Sequence, residues 1–474
     1  MVCRHWRLIS LKLHAMWNTP DFELPHLARV MLHRSRDAPL NIVISWLPSE
    51  DQELKSVLSE AMNQRNRLAR LFLNLDAAPV VQEVVSMCVG PVPILRSVHL
   101  QHDHLHGTSP FMLPKGFLGG EAPRLSTLSL HNCLLSENWE SPLLHERITK
   151  LVWNVSSTTT LLHCQRAFFQ TLARMPYLEI LELDHVLPSS ITNPPVVFLP
   201  HLRRLRLAST GSVSFDALHY ITFSTHNPPC IHLGCDTNSV IDYSYGEVKH
   251  LLEIAIRSVS PKSLEALSIS GNPTNTVGNI VVRAWDVVPA DIETLDPTSQ
   301  ADLTVEFSWH NEHPSACFVT SRRVIDATLC ILSSSIETLR IGDAFKDEHF
   351  PLMACARFCG PTLKYLILVG SAAWQIPRTL TIRRKGRELP YSFSHDSSGQ
   401  LAFSALSILT FIHVNFGTPD NGLMRWLQNS FLERSQGDCS TIEKVRIIGC
   451  TQLSNSVVDI LGHFTREVEL ISLR

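Results

Sequence analysis

LSTLSLHNC, residues 125–133, is the stretch that decides the fold. Leu128 and Leu130 are two apart, so in an extended strand they point to one face, toward a core. Thr127, Ser129 and His131 then point to the other face. Leu125 and Cys133 bracket the strand, giving the pattern L-x-x-L-x-L-x-x-N/C with every fixed position filled.

One such match carries little weight, because leucine is common. The same frame, however, recurs at 68–73, 95–100, 148–153, 178–183, 202–207, 264–269 (then Asn272), 336–341, 363–368, 406–411, 442–447 (then Cys450) and 468–473. From Leu68 to Leu202 the starts step by 27, 30, 23, 30 and 24 residues. These steps fall near the spacing of leucine-rich repeats, about 20–29 residues. The later gaps are larger and are predicted to hide degenerate units at 231–233 and 303–307. The expected fold is α/β: a leucine-rich-repeat solenoid, or horseshoe, with a parallel sheet on the concave side and helices on the convex side.

The chain has 474 residues, above the usual limit of about 250–300 residues for one core. A solenoid escapes that limit because each repeat packs only on its neighbours. With 44% hydrophobic residues, 18% charged and a net charge of −3, the balance favours neither nucleic acid nor an anionic membrane as partner. The sequence contains no apolar run long enough to span a bilayer, and residues 8–11 before Lys12 are too short for a signal-peptide core. Its 12 cysteines form no C-x-x-C pair. Cys133, Cys330 and Cys450 fall at apolar positions, so reduced thiols in an intracellular protein, of cytoplasm or nucleus, are expected. The Asn154-Val155-Ser156 sequon then meets no glycosylation machinery.

Helical spacing connects Val2, Trp6, Ile9 and Leu13, and Pro20 marks the exit. The run VCRHWRLISLKLHAMW, residues 2–17, resembles the second half of an F-box in the fungal, basidiomycete-type F-box/leucine-rich-repeat family. The matching residues are Val2, Cys3, Arg4, Trp6, Arg7, Ile9, Ser10 and Trp17, with Asp21, Phe22 and the segment 24–44 continuing the likeness. Residues 1–35 are accordingly read as a partial F-box segment and linker, and 36–474 as a degenerate repeat domain. The resemblance implies the substrate-recognition subunit of an SCF-type ubiquitin ligase. It implies Val2, Cys3, Trp6 and Ile9 as contacts for a Skp1-type adaptor. An F-box normally opens with an L-P-x-E helix before these residues, and here they follow Met1 directly. The expectation is a chain lacking the first F-box half, with adaptor binding weak or lost and these residues covering the first repeat instead. Leu47-Pro48-Ser49-Glu50 has the right letters in the wrong order and reads as the start of a helix over 53–62.

Further buried stripes predict helices at 164–175 (Phe168, Leu172, Met175), 247–259 (Val248, Leu251, Leu252, Ala255, Ile256) and 324–332 (Ile325, Leu329, Leu332). Two more lie at 423–432 (Leu423, Trp426, Leu427, Phe431) and 457–464 (Val457, Leu461, Phe464). Residues 188–200, rich in Pro and Ser, read as a surface loop. Residues 371–401 read as an insertion with one short strand at 380–382.

No catalytic, cofactor-binding or metal-ligating set emerges. His99, His102, His104 and His106 with Asp103 run off a strand into a loop, without the fixed geometry that zinc needs. His310 and His313 sit at a turn, and Cys355 and Cys359 lack a second pair. Gly116–Gly120 lacks dinucleotide spacing, no P-loop, H-E-x-x-H or G-x-S-x-G occurs, and the basic run 378–387 reads as a solvated loop. The expected function is therefore protein–protein interaction rather than catalysis, with no cofactor. A protein substrate would lie on the repeat surface. The alternative is a repeat binder without ligase linkage. Between the strand leucines, the expected concave positions are polar early in the chain, charged in the middle (Glu182, Asp184, Arg204, Arg206) and apolar late. That apolar set, Tyr365, Ile367, Val369, Ile408 and Ile412, is read either as the partner site, with 371–401 as its rim or lid, or as a permanently buried second core layer.

Overall fold

The computed structural model describes residues 4–45, 52–75, 83, 85, 88–102, 109–120, 122–155, 164–210, 212–224, 226–237, 244–259, 264–271, 277–294, 300–310, 314–332, 335–342, 350–359, 361–380, 383–384, 400–401, 403–417, 423–435, 441–453 and 455–472. The chain is α/β, with a large, mostly parallel sheet and helices, and no closed barrel among the described residues. No helix among them is long and apolar enough to cross a membrane. Two compact units divide the chain, Met1–Pro229 and Cys230–Arg474.

In the first unit seven strands lie side by side in chain order, each parallel to the next. They are β1 Leu40–Ile44, β2 Leu68–Asn74, β3 Ser97–Gln101, β4 Thr127–His131, β5 Lys150–Asn154, β6 Ile180–Asp184 and β7 Arg204–Thr210. The register puts Ile42, Leu71, Val98, Leu128, Leu151, Leu181 and Leu205 in one row. Ile44, Leu73, Leu100, Leu130, Trp153, Leu183 and Leu207 form the next. All are buried, and each such side chain contributes about 1.5–3 kcal/mol.

Both crossover helices that the sequence predicts in this unit form, over 52–63 and 165–173. Helix α1 spans Arg4–Lys12 and α2 Pro25–Ser35; α3 Gln52–Asn63 joins β1 to β2, with Leu54, Val57, Leu58 and Met62 buried. Between β3 and β5 the described crossovers use 3-10 turns at Leu118–Gly120 and Asn138–Glu140. Trp139 fills the space a helix would take. It packs against Trp153 at 5.0 Å and Phe168 at 4.7 Å, and both indoles donate to carbonyls, Trp139 to Val186 and Trp153 to Cys133. Helix α4 Gln165–Ala173 precedes β6, and α5 Val213–His219 follows β7. The stretch 188–200 is not only a loop: Val197–Leu199 pairs with Ile221–Phe223, because Val197 and Leu199 alternate inward around exposed Phe198.

The second unit holds β8 Cys230–Thr237, β9 Ala266–Gly271, β10 Val277–Trp285, β11 Leu303–His310, β12 Thr338–Ile341, β13 Tyr365–Val369, β14 Ile408–Ile412, β15 Lys444–Ile448 and β16 Glu467–Ile471. Their spatial order is β8-β11-β10-β9-β12-β13-β14-β15-β16. Both suspected degenerate units are strands, β8 and β11. Strand β10 is a departure: it runs antiparallel to β9 and β11. At the close of β9 a Cβ on Gly271 would fall 2.3 Å from the Asn279 carbonyl oxygen, so this approach requires glycine.

Helices α6 Tyr245–Val259, α7 Pro314–Leu332, α8 Phe350–Phe358, α9 Ile376–Leu380, α10 Leu423–Ser435 and α11 Asn455–Phe464 complete this unit. Three sequence readings need correction here. Trp426 is exposed rather than part of the buried stripe of α10. Residues 371–380 are helical, with Ala372, Ala373, Ile376 and Leu380 buried, so the insertion begins as core; its short strand is Arg383–Arg384, paired with Gln400–Leu401. The last frame starts three residues earlier than predicted, because Val468 and Leu470 pair with Val445 and Ile447 and buried Thr465 takes the first position.

Two backbone devices recur in both units. At nine strand entrances among the described residues one carbonyl accepts two N–H groups: Arg96, Ser126, Thr149 and Glu179 in the first unit, Glu265, Glu337, Lys364, Ser407 and Glu443 in the second. Just past the strand ends, Asn132, His185, Gly370, His413 and Gly449 all have φ between 52° and 57°. Asn132, His185, His413 and Gly449 each donate their N–H to the next strand's last paired carbonyl, from Asn154, Ala208, Ile448 and Ile471.

Candidate protein-binding surface

The strand positions opposite the buried leucines make one face of the first unit. Its rows read Arg70–Ser97–Thr127–Lys150–Ile180–Arg204, Phe72–His99–Ser129–Val152–Glu182–Arg206, and Asn74–Gln101–His131–Asn154–Asp184–Ala208. Arg70 and Arg204 are exposed; Phe72, His99, His131, Lys150, Glu182 and Arg206 are half-buried. Thr127, Ser129 and His131 therefore sit on the face that alternation assigned them.

An aromatic ladder crosses this face. Phe72 stacks on His99 at 4.4 Å and 7°, and His99 meets His131 at 4.9 Å. His131 is held through both ring nitrogens, Nε2 at 2.9 Å from Ser129 Oγ and Nδ1 facing the Asn154 amide nitrogen at 3.5 Å. Burial, His131 and Lys150 push the His99 pKa down to about 4. Burial also lowers His131, outweighing the pull of Glu182. Both rings are neutral at pH 7, so the ladder presents flat, uncharged surface. The acids beside it are spoken for: Arg204 meets Glu182 at 3.5 Å and Arg206 meets Asp184 at 3.9 Å.

The corresponding face of the second unit is covered. Ile367, Val369 and Ile412 are buried, in a cluster with Ala266, Trp285, Ile292, Ala301 and Ile448, and Ile471 packs against it. The described cover is 286–294, in the connection between β10 and β11; of the predicted rim or lid 371–401, residues 381–382 and 385–399 lie outside the described residues. Asp286 N–H bonds Asp302 at 2.9 Å at its base, and turns closed on Pro289 and Asp291 bring Ile292 inward. Glu293 accepts from Thr410 at 3.2 Å and pairs with Arg446, while Arg340 donates to the Thr294 carbonyl at 3.3 Å. Of the predicted apolar site, Tyr365 stays exposed and Ile408 half-buried, but Ile367, Val369 and Ile412 form a second core layer. Nothing in the strand pattern announces this cover, because it comes from outside every frame.

At the N-terminus, Val2 and Cys3 lie outside the described residues, and for Trp6 the description is limited to its helical backbone in α1. Ile9 is half-buried, and Leu13 and Met16 are 50% and 60% exposed. Helix α2 is tied to the start of the second strand. It buries Ala28, Leu32 and Ser35, and Arg67 donates to the Leu32 and Ala38 carbonyls, both at 3.1 Å, and to Ser35 Oγ at 3.0 Å. The outer stripe of the N-terminal helices, Leu8, Leu11, Leu24, Leu27 and Val30, is exposed.

The remaining candidates resolve simply. His102 is buried, and residues 103–108 lie outside the described part. His310 ends β11, with 311–313 outside the described part. Cys355 and Cys359 are buried in the second unit, and burial holds the Cys355 thiol well above its ordinary pKa. Residues 46–51 and 385–399 are likewise outside the described part. No protein-family model matches the chain, and no curated protein matches it.

Proposed function

We propose that this chain is a protein-binding scaffold, a leucine-rich-repeat solenoid whose first-unit sheet face takes a partner protein. The observation that carries the reading is that open face. Parallel sheets are ordinarily covered on both sides, yet Arg70, Phe72, His99 and Arg204 remain accessible on this one. Rigid aromatic and arginine side chains on a firm scaffold are the residue types that anchor protein interfaces. The in-register rows and the recurrent left-handed residue past the strand ends support the solenoid.

The resemblance to F-box/leucine-rich-repeat proteins gives the scaffold a role: substrate recognition for an SCF-type ubiquitin ligase. The exposed apolar stripe on α1 and α2 supports a second contact there, with a Skp1-type adaptor. The test is quantitative capture by the tagged full chain in cells. Phe72→Glu should lose the substrate-class partners, and Leu8→Asp/Leu11→Asp should keep them while losing adaptor and cullin. Adaptor absent from every capture would leave a repeat binder without ligase linkage. A folded Phe72→Glu chain that captures the same proteins would refute the docking face itself.

A further inference from the structure

The charges on the open face are unequal in number and in reach. Four cations, Arg70, Lys150, Arg204 and Arg206, stand in its rows against two carboxylates, Glu182 and Asp184. The carboxylate side chains are 22% and 27% exposed and engaged by Arg204 and Arg206, which are 50% and 38% exposed. The cations therefore stand outermost, although the chain as a whole carries −3. A partner approaching this face meets positive charge beside a neutral aromatic ladder.

The second unit shows what such a face accepts. There a segment of the chain itself lies across the strands, with Ile292 in the apolar cluster and Glu293 on Thr410 and Arg446. An apolar residue next to a carboxylate is thus already seated on strand positions that, like those of the first unit, alternate with buried apolar residues.

From these two observations we infer that the first-unit face docks an acidic polypeptide segment of a partner protein, with an apolar side chain over the Phe72–His99 stack. This rests on the docking reading above and names its chemistry. Arg70 on β2 and Lys150 on β5 are three strand spacings apart, about 14 Å. An extended peptide covers that in about four residues, so the segment carries carboxylates at roughly that separation. Nucleic acid fits less well, because it carries no apolar side chain of the kind that Ile292 places beside Glu293.

Fluorescence anisotropy on the full chain tests this with fluorescein-labelled poly-L-glutamate, and with a single-stranded oligonucleotide as the competing polyanion. Poly-L-glutamate should bind in a salt-sensitive way. Arg70→Glu/Lys150→Glu should weaken it at least about tenfold, with Arg70→Gln/Lys150→Gln as the milder pair should the reversal fail to fold. Arg166→Glu, on exposed α4 surface, should change nothing. No binding of poly-L-glutamate, equal binding by the double variants, or tighter binding of the oligonucleotide through the same residues would overturn the inference. If Phe72→Glu still abolishes protein capture while poly-L-glutamate fails to bind, the docking face stands and only its acidic partner is refuted.

Discussion

Thr410 Oγ1 donates to Glu293 Oε1 at 3.2 Å across 117 residues of sequence. This contact, with the Arg446 pair beside it, pins residues 286–294 over a sheet face that strand alternation alone leaves open. Ile367, Val369 and Ile412 are core because of it.

Ile367→Asp should therefore lower stability by more than about 4 kcal/mol, since it places a charge in an apolar cluster. Glu293→Ala should cost about 1–3 kcal/mol through lost charge-assisted hydrogen bonds. Thermal and urea melts measure both. An Ile367→Asp chain with unchanged melting temperature would mean that the strap lifts freely.

Leu128→Ala and Leu205→Ala should each cost about 2–5 kcal/mol, as buried large-to-small changes do. Thr127→Ala, on the other face, should stay within about 0.5 kcal/mol. The reverse order in a denaturant series would invert the face assignment.

His413 has φ 52° and an exposed side chain. His413→Gly should be tolerated, while His413→Val should cost about 1–2 kcal/mol, because a β-branched residue is strained in the left-handed region. Equal melting temperatures for the two variants would remove the conformational argument for the recurrent turn.

His99 titrates near 4 in the folded chain, against an ordinary 6.5. Between those values the unfolded chain binds more protons, so stability rises with pH. The contribution is complete above 6.5 and is lost as pH falls toward 4. His99→Phe should flatten the pH dependence of melting in that window and keep the stack on Phe72. An imidazole NMR titration placing His99 at 6.5 would contradict the burial argument.

The repeating frame was legible because its cause is local. Leucines two apart on a strand must face one way, and the frames at 68–73 through 442–447 all became strands in the expected phase. The last frame slipped because a threonine serves as its first apolar residue. The ion pairs of Glu182 and Asp184 with Arg204 and Arg206 were also legible, since adjacent strands in register bring such positions together.

By itself, then, the sequence determined the α/β strand rhythm, the buried rows and the chemistry of the face opposite them. It could not say whether that face is free. The tertiary structure left it accessible in the first unit and closed it in the second, where the connection after an unforeseen antiparallel strand folds back with Ile292 and Glu293. Alternation is a property of neighbouring residues, whereas burial depends on whatever distant segment gains more by covering the surface than it loses in chain entropy.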